Sequence, residues 1–198
     1  MNKRLLNYTM TQQLKHGKKV SGLAYLLAEK LGLPEEERYE LALSGLLHDI
    51  GKTALQDEIR DQDVLVVEEL GCIRRHPQLG YEMLRKHHFP DDVCYNVLYH
   101  HENFDGTGYP FNLRGYDIPI GARILRVCDV FCALTDNRPY RKAFTPAGAI
   151  WLMINETKDY DLEIFLAFQQ MLHDSPDGKI VMPECEIDMK GELTKLWL

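Results

Sequence analysis

Three features are missing from this sequence: a long apolar run, a paired CxxC motif and an excess of basic residues. No stretch approaches the length of a membrane-spanning helix. The N-terminal stretch MNKRLLNYTMTQQLKHG has neither the apolar centre nor the small-residue cleavage site of a signal peptide. We therefore expect a cytoplasmic protein that has no membrane partner.

The cysteine spacing and the net charge exclude further classes of protein. The five cysteines are odd in number and show no CxxC spacing, so neither a zinc knuckle nor a disulfide framework is indicated. The formal net charge of −7 repels polyanions, and we expect no binding to duplex nucleic acid. A small phosphate ligand is still compatible with this charge, because bound cations can reverse the local sign.

Apolar residues recur with the period of an α-helix through most of the chain. Proline and acidic residues mark helix starts, as at Pro34, and Gly32 marks a helix end. The predicted helices cover residues 14–31, 34–49, 61–75, 77–87, 91–101, 118–135, 146–157 and 161–172. This pattern predicts an all-α fold.

The remaining segments are a loop and a tail. Residues 103–116 are rich in glycine and predict a loop. CEIDMK at 185–190 alternates with period two, which predicts a short strand. We expect a catalytic domain at 1–175 and a small C-terminal extension at 176–198, to which no motif assigns a role.

Histidines and aspartates lie at the ends of predicted helices or within their apolar faces. Asp129 interrupts the apolar run ILRVCDVFCAL, where an unpaired buried carboxylate would be costly. Neutral imidazole and carboxylate are donors that suit iron, manganese and zinc, so the joint pattern indicates a metal site. The set exceeds the needs of one tetrahedral ion and suits two ions that share a carboxylate. The candidates are His16, His48, Asp49, His76, His100, His101 and Asp129.

Two motifs resemble those of the HD-GYP family, whose members are cyclic dinucleotide phosphodiesterases of the HD superfamily. HDIGK at 48–52 is similar to the HD metal motif, and HHENFDGTGYP at 100–110 resembles the HD-GYP hallmark. RRHPQLGYEML and IPIGARILRVCDVFCALTDNRPYRKA extend the resemblance, in order, within residues 10–175. The resemblance implies an HD-domain helical bundle with a GYP loop, which is the predicted loop at residues 103–116. It also implies a bacterial hydrolase of second-messenger signalling that converts cyclic di-GMP to linear pGpG and GMP.

The same resemblance implies a binuclear centre of two divalent ions, with iron or manganese favoured and zinc or nickel as further candidates. Asp49 would bridge the two ions. One ion would take His16, His48 and Asp129, and the other would take His76, His100 and His101. A hydroxide between the ions would attack the phosphodiester in line with the leaving oxygen.

Residues that act on the substrate are implied in the same way. Lys52, one turn after the HD pair, would stabilise charge on the phosphate, so we expect it to be catalytic together with Asp49. An aromatic residue of the GYP loop would face the nucleotide, and arginines would bind phosphate or guanine. The candidate substrate contacts are Tyr109, Arg114, Arg138 and Arg141.

One position departs from the family pattern. Some members carry a glutamate one turn before the first histidine, where it helps to hold a third metal, whereas this chain has Gln12. A neutral amide is a poor ligand for a highly charged cluster, so the sequence predicts two ions rather than three. The departure leaves open whether the product is pGpG or GMP.

The motifs leave alternatives to cyclic di-GMP hydrolysis open. The substrate could be another cyclic dinucleotide such as cGAMP, because the motifs do not fix the residues that read guanine. A general HD phosphohydrolase is disfavoured by the GYP loop. A weakly active sensor that binds the dinucleotide is expected to lose ligand residues, whereas every candidate ligand is present. A homodimer is compatible with the sequence.

Overall fold

The computed structural model describes residues 10–55, 71–138, 141–174, 184–187 and 193–197. The described helices are α1 (Met10–Lys30), α2 (Glu35–Leu47), α3 (His76–Lys86), α4 (Asp91–Tyr99), α5 (Ile120–Thr135), α6 (Pro146–Ile154) and α7 (Leu162–Asp174). Short 3₁₀ turns occupy Gly115–Asp117 and Thr157–Asp159. The predicted all-α class is confirmed, and no helix in these ranges is long and apolar enough to cross a membrane.

The helix ends follow the local sequence. Pro34 precedes α2, and acidic residues occupy its first turn, where they face the positive end of the helix dipole. Pro146 begins α6, and the Thr145 hydroxyl caps this start by accepting a hydrogen bond from the Gly148 amide at 3.1 Å. The predicted helix at 61–75 lies almost entirely outside the described residues.

The C-terminal extension contains a small sheet. Strand β1 (Glu184–Ile187) pairs antiparallel with β2 (Leu193–Trp197). The first strand overlaps the segment 185–190 that the alternating pattern predicts. The second strand was not predicted, since its short sequence carries no distinctive alternation. The domain division at residue 175 stays a prediction.

Helix α5 is central to the bundle and packs against α1, α2, α4, α6 and α7. It is apolar on most of its surface, so burial against these neighbours provides the main driving force for packing. Leu23 of α1 and Phe165 of α7 belong to the same buried core as Leu125 of α5. Cys128 and Cys132 are buried free thiols in this core, as predicted. Asp129 is carried into the interior by the same helix.

Two glycines allow the close approaches on which the site depends. A Cβ at Gly45 would lie 2.8 Å from the Ser21 backbone nitrogen, so glycine lets α1 and α2 pack backbone to backbone. A Cβ at Gly51, in the HDIGK motif, would lie 2.0 Å from the His76 carbonyl oxygen. The first contact brings α1 towards the end of α2, and the second brings the start of α3 against the turn that follows α2.

Candidate metal centre

The predicted ligands come from separate parts of the chain and meet in the interior. One lies on α1, two directly follow α2, one begins α3, two directly follow α4 and one lies on α5. In that order they are His16, His48, Asp49, His76, His100, His101 and Asp129. His48, His76 and His100 are fully buried. Packing between helices that are distant in sequence therefore assembles the cluster.

The ligand atoms form two groups that share one carboxylate. Asp49, His76, His100 and His101 offer one atom each within 4.8 Å of one another, and His16, His48 and Asp49 do the same. Since Asp49 belongs to both groups, its carboxylate is placed to bridge two ions. Asp129 lies with the second group, because its Oδ1 is 2.9 Å from His16 Nε2 and 3.6 Å from His48 Nε2.

Three of the histidines are oriented by the same kind of hydrogen bond to the backbone. In His48, His76 and His100 the Nδ1–H group donates to the backbone carbonyl three residues earlier, at 2.8, 2.7 and 2.7 Å. This bond fixes the ring and places the lone pair on Nε2, which faces the cluster. Backbone carbonyls at helix ends thus prepare neutral imidazoles for coordination.

The unsatisfied atoms of the cluster fit a cation. Among the described residues, His48 Nε2 and Asp49 Oδ1 are buried and have no hydrogen-bond partner. His76 Nε2 faces His100 Nε2 at 3.2 Å, so two acceptor atoms meet each other. Such groups are costly in an apolar interior, and a divalent ion satisfies nitrogen and carboxylate donors together.

The charge states of the cluster also fit a cation. Burial lowers the pKa of His48 and lowers the pKa values of His100 and His101 well below the ordinary value, so these rings are neutral. Burial alone would raise the pKa of Asp49, but the positive charge of Lys52 outweighs it and holds this pKa well below its usual range. The pKa of Asp129 is likewise held low against burial, mainly by its hydrogen bond with His16.

His16 lies between two carboxylates. Its Nδ1 is 3.0 Å from Asp136 Oδ2, and its Nε2 faces Asp129. Burial lowers the pKa of His16, but the hydrogen bonds to these carboxylates raise it to about 9. Asp136 thus takes the place of an orienting carboxylate behind a ligand histidine. The sequence prediction missed Asp136, which directly follows the C-terminal end of α5 and belongs to no motif.

Lys52 lies at the rim of the cluster. Its Nζ is 2.6 Å from Asp49 Oδ2, and a quarter of the side chain is exposed. The ammonium therefore contacts the shared carboxylate and is also reachable from solvent. A catalytic role for Lys52 stays a prediction.

The GYP loop covers the His101 side of the cluster. The Tyr109 ring stacks on the His101 ring at 4.7 Å, and the Tyr109 amide donates to the His101 carbonyl at 3.1 Å. The guanidinium carbon of Arg74 lies 5.2 Å from the centre of the Tyr109 ring. The Tyr109–Pro110 peptide bond is cis. The loop thus places an aromatic wall directly beside a predicted ligand.

Glu102 braces this loop. Its carboxylate accepts hydrogen bonds from the backbone amides of Phe111 at 2.7 Å and Leu113 at 3.1 Å. A Cβ at Gly108 would lie 2.2 Å from the Asn103 amide nitrogen, so glycine is required where the loop folds back on itself. Both features hold the loop in one shape.

The three arginines that were predicted to contact the substrate differ in their contacts and in their exposure. The Arg141 guanidinium donates to the carbonyls of Ala133 at 2.7 Å and Leu134 at 2.9 Å, so it caps the C-terminal end of α5. Arg138 pairs with Arg141 through backbone hydrogen bonds. Arg114 is exposed on the loop. Substrate contact by these arginines stays a prediction, and for Arg141 it would require the guanidinium to leave the helix end.

Known proteins resemble this chain over most of its length. A family model described as "HD domain" matches residues 1–164. The chain is 41% identical over 174 residues to cyclic di-GMP phosphodiesterase PA4108 of Pseudomonas aeruginosa, covering 85% of this chain and 41% of the relative. It is 41% identical over 142 residues to 3'3'-cGAMP-specific phosphodiesterase 1 of Vibrio cholerae, covering 71% and 33%. The chain thus spans less than half the length of either relative.

A solved structure is also similar. Bd1817, a HDG"Y"P protein from Bdellovibrio bacteriovorus, matches with a TM-score of 0.65 and 25% sequence identity. The match covers 85% of this chain and 56% of that protein. The similarity therefore extends over most of the helical bundle described above.

Proposed function

This chain belongs to the HD domain family, and on that premise we propose that it is a metal-dependent phosphodiesterase that opens cyclic di-GMP. The observation that carries the proposal is the Asp49 carboxylate, which is shared by two groups of buried ligands. Two-metal phosphodiester hydrolysis uses such an arrangement, because paired ions stabilise both the attacking and the leaving oxygen. The product would be linear pGpG, with GMP following if the linear product is cleaved again.

The donor set supports two divalent ions, with iron or manganese ahead of zinc or nickel. One ion would be held by His16, His48 and Asp129, the other by His76, His100 and His101, and Asp49 would serve both. When bound, such ions supply Lewis acidity and acidify a water molecule at neutral pH.

Lys52 would act on the phosphate from the rim. Its ammonium is close to Asp49 and partly exposed, so it can contact a phosphate oxygen without leaving the centre. A compact cation at this place offsets the negative charge that develops as the ester bond breaks.

Tyr109 would position the nucleotide. Its ring is fixed against His101 and forms one wall of the approach to the centre. Burial raises the pKa of Tyr109 above its ordinary value, so the phenol stays protonated and can donate a hydrogen bond to phosphate. The arginines Arg114, Arg138 and Arg141 are further candidates for contacts with the base or the phosphate.

A second candidate substrate is cGAMP. The chain is 41% identical to the cGAMP-specific enzyme of Vibrio cholerae over 142 residues, and 41% identical to PA4108 over 174 residues. The two substrates differ in one base, whereas the metal centre would contact only the phosphate. Residues outside the centre must therefore decide between them.

We also propose a bacterial, cytoplasmic setting. The bacterial sources of the relatives support it, as do the free thiols of Cys94, Cys128 and Cys132 in the core. A homodimer stays a prediction, which light scattering after size-exclusion chromatography measures.

The test is an anaerobic purification followed by metal analysis and assays with Fe(II) or Mn(II). Cyclic di-GMP and cGAMP are compared as substrates. We expect turnover of cyclic di-GMP, a loss of at least about a hundredfold in Asp49→Asn, and full activity in the control Asp92→Asn, which changes an exposed carboxylate on α4. Binding without turnover under either metal would favour a sensor and contradict the proposal. Full activity in Asp49→Asn would contradict the proposed site.

A further inference from the structure

Arg126 lies on the helix that carries Asp129, and it contacts the loop that covers the centre. It precedes Asp129 by three residues on α5, so both side chains share one face of the helix. Its side chain is 18% exposed, which leaves it largely desolvated but reachable. A cation in such a position interacts more strongly with an anion than a surface cation does.

A chain of hydrogen bonds fixes the Arg126 guanidinium to the GYP loop. Its Nε donates to Asn103 Oδ1 at 2.9 Å. The Asn103 amide in turn donates to the Thr107 hydroxyl at 3.0 Å, and that hydroxyl donates to the Asp105 carboxylate at 2.6 Å. The orientation of the guanidinium is therefore set before a substrate arrives, which reduces the entropy lost on binding.

The two Nη groups at the outer edge of the Arg126 guanidinium have unused hydrogen-bond donors. In the described ranges Arg126 donates a hydrogen bond only through Nε, and its Nη2 lies 3.9 Å from Asp159, beyond hydrogen-bond distance. Guanidinium nitrogens with unused donors form paired hydrogen bonds with phosphate oxygens. The geometry thus leaves two Nη groups to bind an anion.

A second unsatisfied group directly follows Asp159 in the chain. The Tyr160 hydroxyl is buried and has no hydrogen-bond partner in the part of the chain described. Burial raises the pKa of Tyr160 to about 12, and the positive charge of Arg126 opposes this shift. The Arg126 charge also opposes the rise that burial causes in the pKa of Tyr109, the residue that forms a wall of the proposed site.

The proposed substrate needs a cation at such a place. A cyclic dinucleotide carries two phosphodiester groups, and the metal centre can hold only the one that is cleaved. The other group would approach a chain with a formal net charge of −7. Without a positive side chain nearby, that phosphate would be repelled.

We propose that Arg126 binds the second phosphodiester group of the cyclic dinucleotide, the group that is not cleaved. This inference rests on the proposed function and makes Arg126 a determinant of specificity for substrates with two phosphates. A diester with a single phosphate, such as bis(p-nitrophenyl) phosphate, engages the metal centre but has no group for Arg126.

The experiment compares the metal-loaded wild type with Arg126→Gln, Arg126→Lys and the control Arg85→Gln. The control removes an exposed arginine that pairs with Asp91 at the surface. Each protein is assayed with cyclic di-GMP and with bis(p-nitrophenyl) phosphate, and its melting temperature is measured. Binding of cyclic di-GMP is also measured by calorimetry after chelation of the metals, which prevents turnover.

For Arg126→Gln we expect about tenfold to a hundredfold weaker binding of cyclic di-GMP. The ratio of kcat/KM for cyclic di-GMP to that for the single diester falls by a similar factor, mainly through KM. Arg126→Lys recovers part of the loss, and Arg85→Gln leaves the ratio unchanged. A residue that only holds the loop would lower both activities equally.

Equal losses on both substrates, or unchanged KM and unchanged binding of cyclic di-GMP, would overturn the inference alone. A wild-type protein that cleaves the single diester but neither binds nor cleaves a cyclic dinucleotide would overturn the proposed function, and this inference with it.

Discussion

Substitution of Asp136 by asparagine tests whether this carboxylate orients His16 for metal binding. The change keeps the shape of the side chain but removes the charge that faces His16 Nδ1 at 3.0 Å. Loss of an orienting carboxylate behind a metal ligand costs about 10–100-fold in metal affinity or activity. The Asp136→Asn variant should therefore bind metal more weakly and turn over more slowly.

The structure places the expected loss at the lower end of that range. The Lys19 ammonium contacts Asp136 and already offsets part of its charge, and the Asp136 side chain is 14% exposed to screening solvent. The asparagine oxygen can also still accept the hydrogen bond from His16. We therefore expect about a tenfold loss of affinity, equivalent to about 1.4 kcal/mol.

Competition with a chelator measures the metal affinity, and ¹⁵N NMR of the labelled histidines reports the protonation of Nδ1 in His16. The control is Asp174→Asn, which removes an aspartate that pairs with Lys30 at 3.0 Å on the surface. Exposed pairs of this kind contribute little. Unchanged metal affinity in Asp136→Asn, or a loss no larger than in the control, would refute the orienting role.

Three further predictions address packing and the number of ions. Gly51→Ala should destabilise the protein by about 1–3 kcal/mol in thermal unfolding, because a Cβ would lie 2.0 Å from the His76 carbonyl; unfolding like that of the wild type would contradict this steric limit. Removal of the metals by a chelator should lower the Tm by about 5–10 °C, relative to protein that is kept in free metal at about a hundred times the Kd. An unchanged Tm in calorimetry would count against a metal site in the folded interior. Mass spectrometry of the native protein should find two tightly bound ions per chain, and three would show that Gln12 does not prevent a third.

Much of the helical bundle could be predicted from the sequence, because amphipathic periodicity is a local signal. The stop at Gly32 and the start at Pro34 mark helix ends through single residues, and both agree with the structure. The HDIGK and GYP motifs placed the chain in a family, and the relatives confirm that placement. The pairing of β2 with β1 was missed, because a pairing between strands depends on tertiary contacts rather than on a local pattern.

The sequence names candidate ligands that the structure brings together, but it does not indicate the residues that support them. Asp136 and Arg126 belong to no motif, and their partners are 120 and 23 residues away, so only the folded structure shows these contacts. Arg141 illustrates the reverse case. Its sequence context suggests a phosphate contact, yet the helix end nearby offers carbonyl acceptors that hold the guanidinium in this structure.

The separation of the ligands along the chain has a mechanical consequence. His16 and Asp129 are 113 residues apart and face each other at 2.9 Å, so an ion held by both would act as a reversible cross-link across most of the domain. Cross-links that close long loops restrict the unfolded chain most strongly. Metal starvation would then remove this cross-link at the same time as the reactive centre.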